Sequence, residues 1–260
     1  MLAAAAAPPA RRSAGAQVSF SVTEIRASTV LPAVRKAASI RTADGLELVG
    51  ELALPERRAP AATLICLHPL PTAGGMMDSH VLRKAAYRLP ALADLAVFRF
   101  NTRGTGSEQG ASDGEFGEGE SERYDVAAVI AYCVAARLPR LWLLGWSFGA
   151  DLALTWGNDP HVEGAILISP ALHRATDADL EGWAASGHPL IALVPGLDDY
   201  LRPEEARARF ARVPQAEIVA VDKAKHLWVG EPYVRIVLNE VVRRVNPRAW
   251  PLPTEWRNRP

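Results

Sequence analysis

The stretch from Leu141 to Leu154 constrains this chain more than any other: an apolar run enters Gly145-Trp146-Ser147-Phe148-Gly149, and an Ala/Leu-rich run leaves it. That pattern predicts a buried strand turning sharply into a helix. A serine at the tip of such a turn is exposed, has room for a base beside it and faces free N–H groups, the conditions a weak hydroxyl nucleophile requires. Gly145 and Gly149 serve sterics, letting two backbones pass where side chains would clash.

The sequence holds a second match to the same pattern, Gly110-Ala111-Ser112-Asp113-Gly114. It lies in a Gly-, Glu-, Ser- and Asp-rich run over 104–121, with no apolar strand before it and no helix directly after. Ser147 is therefore the candidate nucleophile and Ser112 a loop residue.

At 260 residues the chain can bury one sizeable α/β core. Its 29 basic and 29 acidic residues balance, so no net charge steers it toward nucleic acid or an anionic membrane, and no basic stripe interleaved with aromatics is present. The two cysteines, Cys66 and Cys133, sit apart in apolar segments, which argues for packed thiols rather than a disulfide framework or a zinc ribbon. The Ala/Pro-rich start places Arg11-Arg12 after its short apolar part, opposite to a secretory signal. No apolar stretch approaches the roughly 20 residues needed to span a bilayer. A soluble cytoplasmic protein without membrane or nucleic-acid partners is expected.

The expected organisation is a flexible tail and lead-in over 1–34, one domain over 35–245 and a C-terminal tail over 246–260. Alternation over 35–56 predicts an antiparallel pair turning at Thr42-Ala43-Asp44-Gly45. Buried strands are expected at 62–68, 95–101, 141–146, 164–169, 190–195 and 217–221, and helices near 77–89, 120–136, 148–156, 203–212 and 231–245. Strand–helix alternation after an antiparallel start predicts a mostly parallel doubly wound sheet with helices on both faces. Right-handed crossovers gather the loops after the strands on one edge. About twenty residues between the strands ending at Ser169 and starting at Leu190 leave room for one short helix, so at most a minimal cap is expected.

A serine nucleophile needs a base, and the base a carboxylate, in the chain order Ser, acid, His for this architecture. The apolar strand at 190–195 ends in Gly196-Leu197-Asp198-Asp199-Tyr200, which puts two carboxylates just past a strand end. The single histidine after them is His226, a few residues beyond the last strand. His68, His80, His161, His173 and His188 all precede the acid. An oxyanion hole is expected from the backbone N–H of Phe148, next after the nucleophile, and from Leu70, because Pro69 and Pro71 have no N–H to offer. His68 is expected to brace that loop.

Taken together, the motifs Leu67-His68-Pro69 with Gly74-Gly75, Phe100 to Gly110, Gly145 to Gly149, Gly196 to Asp199 with Pro203, and His226 resemble those of small, nearly capless α/β-hydrolases, similar to dienelactone hydrolases and bacterial serine esterases. The resemblance runs from about Arg35 to Val245 and implies that the last residue of the Gly-X-X-Asp turn, Asp199, is the triad acid. It also implies a structural role for Asn101 and Arg103 in fixing their loop. Dienelactone hydrolases carry cysteine where this chain has Ser147. The expected activity is hydrolysis of a small acyl substrate, a carboxylic ester first, through Ser147, His226 and Asp199, with no metal or organic cofactor implied. A peptidase, thioesterase or acyltransferase would use the same triad, and a non-catalytic binding protein would keep only the fold. Trp146, Phe148, Tyr200, Trp183 and Trp228 are candidates for an apolar wall beside the site, or for core packing.

Overall fold

The computed structural model describes residues 22–257, so the expected tail over 1–21 lies outside the described residues. Eight strands form one sheet: β1 (Val34–Arg41), β2 (Glu47–Leu54), β3 (Ala62–Leu67), β4 (Leu95–Phe100), β5 (Leu141–Trp146), β6 (Val162–Ile168), β7 (Leu190–Pro195) and β8 (Ala216–Val221). Their spatial order is 1-2-4-3-5-6-7-8. β2 runs antiparallel to both β1 and β4, and every pairing from β4 through β8 is parallel. Among the described residues six α-helices are spaced along the chain: α1 (His80–Ala93), α2 (Glu122–Ala135), α3 (Phe148–Trp156), α4 (Asp177–Ser186), α5 (Pro203–Phe210) and α6 (Glu231–Val245).

The central strands β3, β4, β5 and β7 are buried along their whole length. The reason is that both faces of the sheet are covered, so the period-2 alternation of side chains finds apolar surroundings either way. Ile65 and Leu67 point into the layer shared with α2, α3, α4 and α5, while Leu64 and Cys66 point into the layer shared with α1 and α6. The expected doubly wound architecture with helices on both faces is what the structure has. Among the described residues no helix is long and apolar enough to cross a membrane.

Two differences from the sequence expectation have physical causes. The expected helix ends at Leu89, before Pro90, whereas α1 continues to Ala93. Proline removes the N–H that Ala86 O would have received, and the Arg35 guanidinium donates to that carbonyl instead at 3.4 Å. The second difference is at the ends. Residues expected as lead-in and tail are built into the body: Val22–Glu24 pairs antiparallel with Glu255–Arg257, and Leu31 and Leu252 are buried. Between β6 and β7 the only helix is α4, so no further helical insertion lies between these two strands.

Candidate active site

β5 delivers Ser147 to that edge in a strained conformation, φ 54° and ψ −111°. A non-glycine residue held there costs about 1–3 kcal/mol and persists only where its surroundings over-determine it. The surroundings are tight. A Cβ on Gly145 would overlap the Gly149 carbonyl, and one on Gly149 would overlap the carbonyl of Leu67 at the end of β3. The Ser147 N–H is bound to Ile168 O at 2.9 Å, and its carbonyl accepts from Ala150 N–H at 2.9 Å to open α3. Strand end, neighbouring strand and helix start thus hold the turn from three sides.

His226 reaches the serine from the loop after β8, with Nε2 2.9 Å from Ser147 Oγ. Its Nδ1 lies 2.9 Å from Oδ2 and 3.1 Å from Oδ1 of Asp198. Since a carboxylate only accepts, the ring donates Nδ1–H to Asp198 and leaves Nε2 free to accept the serine proton. Burial pushes the Asp198 carboxyl up, but the imidazole hydrogen bond and those from the Tyr200 and Leu201 N–H groups outweigh it and hold it below the ordinary range.

The carboxylate at this position is therefore Asp198, a correction to the expected Asp199. Asp198 N–H closes a turn onto Pro195 O at 3.2 Å, and its Oδ1 accepts the Tyr200 N–H at 2.9 Å. This side-chain turn points Asp198 inward and leaves Asp199 exposed. The turn closes one residue earlier than the motif count implies.

Phe148 is the first residue of α3, where an N–H has no intrahelical acceptor and the helix dipole favours negative charge. Leu70 directly precedes the short 3-10 turn Pro71–Ala73. His68 is fully buried and spans two loops: Nδ1–H donates to Pro69 O at 2.7 Å, and Nε2 accepts Thr102 N–H at 3.0 Å. Desolvation drives its imidazole down to about 4 despite the hydrogen bond to Pro69 O, so it is neutral and acts as a brace. Because C=O and N–H of one peptide plane point opposite ways, fixing Pro69 O also fixes the direction of the Leu70 N–H.

Asn101 and Arg103 fix the loop after β4. The Asn101 side chain bonds Met77 N–H, Ser107 Oγ and Gly110 O, and Arg103 bridges Asp125 and Asp44. Ser112 is buried in this loop, with its hydroxyl donating to Asn101 O at 2.7 Å. Trp146, Phe148, Trp183 and Trp228 are core residues, and of the five candidate wall aromatics only Tyr200 is exposed.

No sequence signal marks the clamp on the His226 backbone. The His226 carbonyl accepts from Ser169 Oγ at 3.0 Å and Trp146 Nε1 at 3.2 Å. Ser169 Oγ in turn accepts from Trp228 Nε1 at 2.8 Å, and the Trp228 carbonyl accepts from His80 Nε2 at 3.2 Å. No spacing rule links these residues; they come from β5, the end of β6, the loop after β8 and α1.

No protein-family model and no curated protein matches the chain. Solved structures do. One is an alpha-beta serine hydrolase homologue from Coxiella burnetii, 25% identical, with 80% of this chain and 96% of that one covered at a TM-score of 0.66. Another is a lidless alpha/beta serine hydrolase from Xanthomonas campestris, 26% identical, covering 87% and 100% at 0.65. An esterase from Pyrococcus furiosus shares the fold at 18% identity, covering 82% and 93% at 0.64.

Proposed function

We propose that this chain, which has the α/β-hydrolase fold, is a serine hydrolase that cleaves carboxylic esters through an acyl-enzyme. The lidless and esterase neighbours support a hydrolase of this fold. The observation that carries the finer reading is the unbroken hydrogen-bonded line from Asp198 through His226 to Ser147.

In this reading Ser147 Oγ attacks the acyl carbonyl as its proton passes to His226 Nε2, and Asp198 stabilises the imidazolium. The Phe148 and Leu70 N–H groups meet the oxyanion, a contribution of about 3–4 kcal/mol for one donor in a known case. Collapse of the tetrahedral intermediate breaks the ester C–O bond, and the departing alkoxide takes the proton from Nε2. Water then adds to the acyl-enzyme, its proton going to Nε2 and on to Ser147 Oγ as the carboxylic acid leaves. Peptidase, thioesterase and acyltransferase reactions share the acyl-enzyme and differ in leaving group or acceptor.

The setting that fits is reducing and cytoplasmic, since Cys66 and Cys133 are buried free thiols that desolvation pushes up to about 12. Hydrolysis of p-nitrophenyl acetate by wild type and by Ser147→Ala tests the proposal. The expected result is loss of turnover in the variant. Equal rates would remove the proposed function.

A further inference from the structure

Among the described residues, the large apolar and aromatic side chains left in solvent include Leu197 at 43%, Tyr200 at 57%, Leu227 at 57% and Val229 at 72% exposure. All four lie in the two loops that carry Asp198 and His226. These loops are joined, with Gly196 N–H bound to Val221 O at 2.8 Å and Leu197 N–H to Ala224 O at 3.0 Å. In the second loop burial alternates: Ala224, His226 and Trp228 face inward, while Leu227 and Val229 face out. Tyr200 completes the rim. Its ring stands 4.6 Å from the His226 ring at 67°, and 5.4 Å from the His173 ring at 89°.

We propose that this rim binds the alcohol half of the substrate, and that the preferred substrates are esters of apolar, aryl-bearing alcohols with a small acyl group. The inference rests on the proposed hydrolase reading. His226 Nε2 must hand its proton to the departing oxygen, so the leaving group passes the imidazole on its way out. Tyr200, whose ring stands edge-on to that imidazole, meets the substituent on the oxygen, Leu227 follows His226 directly with its side chain exposed, and the Tyr200–His173 pair offers edge-to-face partners to an aromatic ring. The acyl side is different. Trp146 and Phe148, on either side of Ser147, are buried in the core and do not offer their rings to an acyl chain. With only α4 between β6 and β7, no inserted domain supplies an alternative binding wall.

Two isomeric esters separate the halves: benzyl acetate carries its phenyl ring on the alcohol, methyl phenylacetate on the acid, and their leaving alcohols have similar acidity. Wild type is expected to favour benzyl acetate in kcat/KM by about tenfold or more, the scale at which apolar pockets discriminate. Tyr200→Ala and Leu227→Ser are each expected to shrink that ratio, and Val134→Ser, an exposed apolar residue on α2, to keep it. Because each ratio is taken within one protein sample, partial loss of folded enzyme cancels. A wild-type ratio at or below one, or a ratio unchanged in both rim variants, overturns the inference while leaving the hydrolase reading intact. Failure to cleave p-nitrophenyl acetate as well as both isomers sinks that reading, and the inference with it.

Discussion

Asp198 Oδ2 lies 2.9 Å from His226 Nδ1, and the adjacent Asp199 is turned to solvent. Two neighbouring carboxylates thus have unlike surroundings, and their removal separates them functionally. Asp198→Asn is expected to lower kcat on the order of 10⁴-fold, because the amide favours the wrong imidazole tautomer. Asp199→Asn is expected to stay within about twofold, as exposed substitutions away from such features usually do. Steady-state kinetics of the two variants on p-nitrophenyl acetate decide it; a larger loss in Asp199→Asn would reverse the assignment.

The clamp on the His226 carbonyl predicts a different signature. Ser169→Ala deletes the hydroxyl that accepts from Trp228 and donates to His226 O, leaving the Trp228 N–H buried without a partner at a cost of about 1–3 kcal/mol. If the clamp positions the base, kcat should fall by about tenfold or more, toward the roughly hundredfold that a 1 Å misplacement can cost, with KM nearly constant. Activity per folded molecule equal to wild type would reduce Ser169 to a packing role.

Strain at the elbow predicts a trade between stability and activity. At φ 54° and ψ −111° a glycine sits more comfortably than a serine, so Ser147→Gly should raise stability by about 1 kcal/mol while abolishing turnover. Chemical denaturation of the two proteins measures it. A destabilised glycine variant would mean that the turn is relaxed with serine in place.

His68 gives a pH dependence with a definite sign. Its imidazole is held at about 4 in the folded protein, below the ordinary 6.5. Between those values the unfolded chain binds the extra proton and the folded one does not, so this contribution is intact above pH 6.5 and is lost as pH falls toward 4. The amount is about 3 kcal/mol. Urea midpoints of wild type and His68→Gln across this window should converge as pH drops; a constant difference would contradict a neutral buried imidazole.

Much of the architecture was legible because the physics behind it is local. The bounds of β5, β7, α3 and α6 follow from apolar runs and turn residues within each segment. Ser147 and His226 were legible for a related reason, each standing just beyond a strand at a place the chain order allows. Asp198 was not. Choosing between adjacent carboxylates depends on where a turn closes, and that is set by the hydrogen bond from Asp198 N–H to Pro195 O rather than by residue type. The extension of α1 past Pro90 was hidden as well, since the donor that compensates it is Arg35, distant in sequence. Ser169, Trp146 and Trp228 meet only through the assembled fold, so their joint hold on His226 leaves no periodic trace.

Reaction with a fluorophosphonate followed by peptide mass spectrometry tests the hydrogen-bonded line from carboxylate to hydroxyl most directly. The phosphonyl adduct is expected on Ser147 in wild type and is expected to be largely lost in His226→Ala, where the serine has no base. An adduct on Ser112, or equal labelling of Ser147 with and without His226, would contradict the account.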